Sequence, residues 1–399
     1  MAAADPTAVD TADPGFIADP YPVFRALRDR HPLHAHTGWD AHLAVSHEAC
    51  SAVLRHRGLA RVWQDAEPAA EFPAFNALHQ LNMLENEHRH ERLRAAFAPM
   101  FQPRRVEALR ATITRIAGEH VDELREQAGR GGADLMRVLA RPLPVAVVTS
   151  LLGFPAADRG LLREWSGSIV RMYEPDVTGP ERRAAEGAAQ DFRDYAAELL
   201  AHRRRHPADD HLGRLAADTE LTAEEFVANY VLLLMAGHEA SVNGIGNAVV
   251  ALHEHPDQWQ LLREHLRVSE SALRTAVDEL LRYDTPNQMF ERTAVRPVSL
   301  GAHHIDEGEK VVVLLGAANR DPAAFHQPDR LDLTRTPNPH LALGAGLHYC
   351  LGAPLARLEI GVALALLAER MPQFRITAVP RRLPGFAIRG FDRLEVAPG

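Results

Sequence analysis

Lysine is almost absent from this chain: Lys310 is the only one, and every other basic side chain is an arginine or a histidine. Acidic residues outnumber lysine and arginine by 53 to 44, giving a formal charge of −9, which excludes a general nucleic-acid binder. Cysteine is scarce too. Cys50 and Cys350 are the only two, too few and too far apart for a disulfide framework. A lone cysteine is ordinarily a small buried hydrophobe, so either both are inert or one needs its own account. No apolar run reaches the roughly 18 residues of a membrane-spanning helix. Met1–Pro14 shows neither the basic nor the apolar part of a secretory signal. The expectation is a cytoplasmic protein with no membrane and no nucleic-acid partner, and a flexible lead over residues 1–15. Twenty-two histidines are present, yet none stand at zinc-site spacing, and His303-His304 reads as a surface turn.

What remains is ordinary globular composition, 46% apolar and 24% charged, enough for a large core. The pattern predicts helices over 21–30, 88–101, 106–127, 142–152, 159–173 and 181–204. Residues 65–82 read as a long loop with short helical turns. Thr222-Ala-Glu-Glu225 has the spacing of a capping box and opens a helix to about Leu252. Val231–Gly237 is apolar on every side, so that helix runs through the interior. Another helix covers 269–283. The texture then changes to strand-like segments at 293–299 and 310–315, a Pro- and Asp-rich coil over 319–338, and a last helix at 353–370. The fold class is mostly α, a large helical part with a smaller β-rich part, in a single domain over 1–399.

The most informative segment is Leu343-Gly-Ala-Gly-Leu-His-Tyr-Cys350-Leu-Gly352. Gly344 and Gly346 permit a tight irregular backbone. Cys350 stands just ahead of a helix, whose unpaired N–H groups and positive end favour a thiolate. A thiolate there suits a metal. The loop resembles the haem-binding loop of cytochromes P450, Phe-Gly-x-Gly-x-His-x-Cys-x-Gly, at every position but the first, where Leu343 replaces the aromatic ring that packs by the sulfur. The resemblance implies haem b held by Cys350, with His348 reaching a propionate.

Other motifs follow in the family's order. Glu279-Leu-Leu-Arg282 resembles its Glu-x-x-Arg pair, implying a buried ion pair with Arg335 of the downstream coil completing the network. Arg292-Thr-Ala294 resembles the strand that gives an arginine to a propionate. Two His-x-x-x-Arg spacings occur at His88/Arg92 and His90/Arg94, and His90/Arg94 is the form usual in the family. The resemblance spans essentially the whole chain and implies a haem-thiolate monooxygenase. Its thiolate favours O–O cleavage, and its electrons come from NAD(P)H through an external ferredoxin and ferredoxin reductase. Arg104, Arg105 and Arg357 are candidates for meeting such an acidic partner.

In the interior helix, Ala236-Gly237-His238-Glu239-Ala240-Ser241 is the expected oxygen-activating stretch. Ala236 and Gly237 would let a flat cofactor approach. Glu239, a carboxylate inside an apolar helix, is costly without partners and is a candidate for relaying protons. The sequence departs from the family here, because Ala240 stands where most members have threonine. Ser241 is rotated about 100° further round the helix. This is similar to some macrolide hydroxylases, and implies that polar groups of the substrate complete the relay. Expected pocket residues are Phe72, Met83, Leu233, Ala236, Ala240, Asn287, Gln288 and Met289, a mixture suiting a mid-sized, partly polar natural product such as a polyketide or peptide. The rival expectations are oxidative C–C or C–O coupling without oxygen insertion, and a haem-based gas sensor. The protein is expected to be a monomer.

Overall fold

The computed structural model describes residues 9–11, 13–85, 87–174, 177–207, 211–217 and 220–399. They form two compact units that interleave along the chain. One comprises 1–60, 113–142 and 240–399, and the other 61–112 and 143–239. Within the expected flexible lead, residues 1–8 and 12 lie outside the described set. Its remainder is ordered: Val9 is buried, and Asp13 caps a short helix, Pro14–Ala18, whose Phe16 is in the core.

The first unit is built round a five-stranded sheet. Its strands run in the order Leu33–His36, Ala41–Ala44, Lys310–Leu314, Met289–Ala294 and Leu59–Ala60. Strand 310–314 pairs parallel with 41–44 and antiparallel with 289–294. It is a near-continuous apolar run because both of its faces are covered. Val311 and Val313 enter one hydrophobic cluster, Val312 and Leu314 the other. Cys50 lies in the first cluster, where its Sγ donates to the Ala44 carbonyl and burial pushes its thiol pKa far up. It is one of the inert cysteines the composition allowed for. Helix Ala353–Arg370 is buried on nearly every side, and Pro354 in its first turn needs no backbone donor.

The second unit is helical. Helix Gly179–Arg205 carries a Thr178–Glu181 capping box and ends in an arginine-rich turn that suits the negative end of its dipole. The expected loop over 65–82 contains a full helix, Pro73–Leu81. Phe72 at its N-cap offers no side-chain acceptor, and Glu186 supplies one from the neighbouring helix, accepting from the N–H groups of Ala74 and Phe75 at 2.9 Å each. The expected helix over 106–127 is broken at Leu109 into Pro103–Ala108 and Arg110–Gly129. Helices His47–Arg55 and Pro256–Val268 appear where no element was expected. The interior helix runs from Ala223 to Glu254, with Thr222 and Glu225 forming its capping box. The division between the units falls inside it, between Glu239 and Ala240. Among the described residues no helix is long and apolar enough to cross a membrane.

Candidate functional site

In the first unit the cysteine loop owes its shape to two left-handed glycines, Gly344 at φ 71° and Gly346 at φ 69°. A side chain at Gly346 would collide with the Leu54 carbonyl, so this turn sits directly on the preceding helix end. The Cys350 N–H donates to the Leu343 carbonyl at 2.9 Å, and Gly352 two residues on is the N-cap of helix 353–370. Cys350 is half-exposed, in contrast to Cys50. Arg292 is buried in strand 289–294, 2% exposed, and His348 is half-buried in the same loop as the thiol.

Behind the loop lies a buried ion network. Glu279 accepts from Arg282 Nε at 2.6 Å and Nη2 at 2.8 Å, from Arg335 Nε at 3.0 Å and from the Asp332 N–H at 2.9 Å. Arg282 also donates to the carbonyls of Asn319, Pro328 and Arg330. Glu279 and Arg282 are fully buried, and a charge pair survives there only with its remaining hydrogen-bond valences filled, as they are. The network pins the coil that leads to Cys350.

The interior helix carries the other candidate residues. Between Phe226 and Leu252 only Leu232, Ala236, Gly237, Glu239 and Ala240 are not buried. Their spacing puts them along one strip of the helix, with small side chains at its centre. Gly237 has a second reason to be glycine, beside the sequence expectation. A Cβ there would stand 2.5 Å from Val148 Cγ2, so the missing side chain is demanded by packing against helix Pro142–Leu152. His90 and Arg94 belong to the second unit. His90 is buried, its Nδ1–H donating to the Met83 carbonyl at 2.6 Å, whereas His88 is exposed.

Sequence reasoning missed Glu359. It lies fully buried in helix 353–370, and among the described residues the Ser241 hydroxyl is the polar group that its carboxyl has beside it. Burial pushes its pKa up to about 8, opposed only weakly by the Ser241 hydroxyl facing it. The signal was available: a carboxylate in an all-apolar helix, the same argument that singled out Glu239. Alternate residues of a strand share a face, so Phe290 lies on the Arg292 side and packs against the cluster that contains Ala345.

The expected pocket residues differ in their surroundings. Met289 turns to the opposite face of the strand, against the Phe16–Phe24–Phe386 cluster. Gln288 is fully buried, donating to the Thr285 carbonyl at 2.6 Å and packed where Gly316 leaves room. Phe72 lies under the Arg182 guanidinium, 4.6 Å from its ring centre, and is buried. Met83 and Leu233 are buried at 4% and 7% exposure, and Asn287 is half-buried, bridged to Ile388. Arg357 is held by Asp278 at 2.6 Å and by the Tyr349 hydroxyl, so it is not a free docking cation, while Arg104 and Arg105 are exposed. His303 is not an isolated surface residue, since its Nε2 lies 3.1 Å from His31 Nδ1.

The donor set can be tested against a haem. Among the described residues no three His, Cys, Asp or Glu side chains converge on a metal position. The half-exposed thiol of Cys350 is a soft ligand of the kind that would hold a haem iron. Arg292 and His348 in the first unit, and His90 and Arg94 in the second, are donors of the kind that acidic propionates need. The open strip at Ala236 and Gly237 has the small side chains that a flat ring requires. The residues fit.

Residues 36–380 match the sequence profile of the family described as Cytochrome P450. The chain is 37% identical to the Cytochrome P450 monooxygenase PikC of Streptomyces venezuelae, covering 96% of this chain and 91% of that one. It is 35% identical to the 6-deoxyerythronolide B hydroxylase of Saccharopolyspora erythraea, covering 98% of both. A crystal structure of P450BioI, in complex with an acyl carrier protein bearing hexadec-9Z-enoic acid, superposes with a TM-score of 0.91 at 32% identity. It covers 96% of this chain and 100% of that one.

Proposed function

From the premise that this chain belongs to the cytochrome P450 family, a haem-dependent monooxygenase fed by NAD(P)H through external partners, we propose that it inserts one oxygen atom into a mid-sized natural product of polyketide or peptide-like kind, with a ferredoxin as its electron donor. When bound, the haem supplies the oxygen-activating chemistry. The chain's own residues hold it and manage protons. Cys350 would be its ligand, and Arg292, His348, His90 and Arg94 would serve its acidic groups.

The observation that carries the substrate reading is the strip of the interior helix, where Ala240 stands beside Glu239 with no hydroxyl between them. A proton route along this helix needs a polar group at that point. Glu239 is 27% exposed on the strip and can take one from there. Glu359, kept neutral by burial until pH is about 8, is a second proton holder behind Ser241. Ala240 leaves the gap above the strip to be bridged by the substrate's own hydroxyl or amide, which favours an oxygen-rich substrate over a hydrocarbon. The named activity of the 6-deoxyerythronolide B hydroxylase relative is consistent with that class.

The test is a titration of the purified ferric holoenzyme with macrolactones, cyclic dipeptides, short peptides, terpenes and simple aromatics, followed by turnover under ¹⁸O₂. The reading expects a low-spin to high-spin shift with a hydroxyl- or amide-bearing class, and a product heavier by one labelled oxygen. A product lighter by two hydrogens would replace it with oxidative coupling. A shift confined to unfunctionalised terpenes or aromatics would refute the substrate class.

A further inference from the structure

His238 is 2% exposed in the most apolar part of the interior helix, where a histidine is costly unless both ring nitrogens are satisfied. Its Nδ1 lies 2.8 Å from the Leu234 carbonyl, one turn back. A carbonyl only accepts, so Nδ1 carries a proton. Nε2 then faces two oxygens, Glu239 Oε1 at 3.2 Å and Ser166 Oγ at 3.4 Å. Ser166, fully buried on helix Arg159–Val170, can donate to a neutral ring. The backbone beneath is fixed, because Gly237 abuts Val148. A nucleophilic triad is ruled out by this geometry: that arrangement needs the acid on one ring nitrogen and the serine on the other, and here both address Nε2.

Nε2 stands within ion-pairing distance of Glu239 Oε1, and with Nδ1 held by the Leu234 carbonyl the ring cannot swing away from it. We propose that His238 is a positioning residue for Glu239, fixing the place of its carboxylate on the helix through Nε2. This rests on the reading of Glu239 as a proton relay, and adds to it the group that aims the acid.

His238→Gln keeps a donor at the Nε2 position, whereas His238→Asn reaches only as far as Nδ1, keeping the Leu234 contact and losing Glu239. Two measurements on the holoenzyme separate them from wild type and from Glu239→Gln. The first is the infrared carboxylate band of Glu239, isolated by subtracting the Glu239→Gln spectrum at neutral pH. The second is NADPH oxidation with a plant-type ferredoxin and its reductase as surrogate donors. The band should move in His238→Asn and stay at its wild-type position in His238→Gln. NADPH oxidation should fall on the order of tenfold in His238→Asn, within the range a misplaced proton-transfer group costs, and recover to within about twofold in His238→Gln. An unmoved band in His238→Asn overturns the proposal, as does an equal loss of turnover in both variants. Should His238→Asn fail to fold, a band displaced in His238→Gln overturns it. Wild-type oxidation in Glu239→Gln sinks the relay reading itself, whereas a slow Glu239→Gln beside an unaffected His238→Asn sinks only the role of His238.

Discussion

Replacing Glu359 by glutamine should reshape the pH dependence of stability. The buried carboxyl is raised from an ordinary value of 4.5 to about 8, with burial the main cause. Between those values the native state keeps a proton that the unfolded chain has released. The unfolded state then binds fewer protons, and stability falls as pH rises through the window, by about 1.4 kcal/mol per pH unit for one group. Below the window both states are protonated and the carboxyl costs nothing. Summed across it, the loss reaches at most ~5 kcal/mol. Glutamine does not titrate, so Glu359→Gln should gain on wild type steadily between about pH 5 and about pH 8. Every other titrating group, including the ion-paired Asp284, is shared by the two proteins and cancels in the difference. Urea denaturation of both holoenzymes at several pH values reads that difference directly. Parallel stability curves would refute the reasoning, for they would mean that the carboxyl ionises as freely in the fold as outside it.

Gly237→Ala should destabilise by about 1–3 kcal/mol, the usual cost of overpacking, since its Cβ would press on Val148, and Val148→Ala in the same background should recover part of the loss. Melting curves of the two variants decide it, and a wild-type melt for Gly237→Ala would deny the contact. Arg282→Ala should cost about 3–5 kcal/mol and release haem at lower denaturant, because Glu279 would be left buried with half its charge compensation gone. Following the haem absorption through a denaturant titration measures this, and an unchanged midpoint would show that the network does not pin the cysteine coil.

Much of the site could be read from residues alone, and the exceptions have physical causes. The Glu279 network was legible because three charged side chains at those places have few affordable fates in a core. His90 against His88 was legible in part from motif form, and burial separates them. Strand direction was not. Which of Met289 and Phe290 shares the Arg292 face was silent, because a strand buried on both faces shows no polar alternation. That Gly237 also packs against Val148 was not legible, because a glycine does not announce which neighbour abuts it. The helix Pro73–Leu81 looked like a loop because its N-terminal cap comes from Glu186, far away in sequence, and no local capping signal exists. The two units were invisible for a similar reason: each is assembled from separated stretches, with their division inside a helix and no linker to mark it.

The central claim is that Cys350 alone carries the iron. The ferrous–carbon monoxide spectrum of the wild type, Cys350→Ser and Cys50→Ser tests it most directly. The thiolate signature should be present in wild type, unchanged in Cys50→Ser and abolished in Cys350→Ser. A thiolate signature that survives in Cys350→Ser, or one that vanishes with Cys50→Ser, would contradict the account.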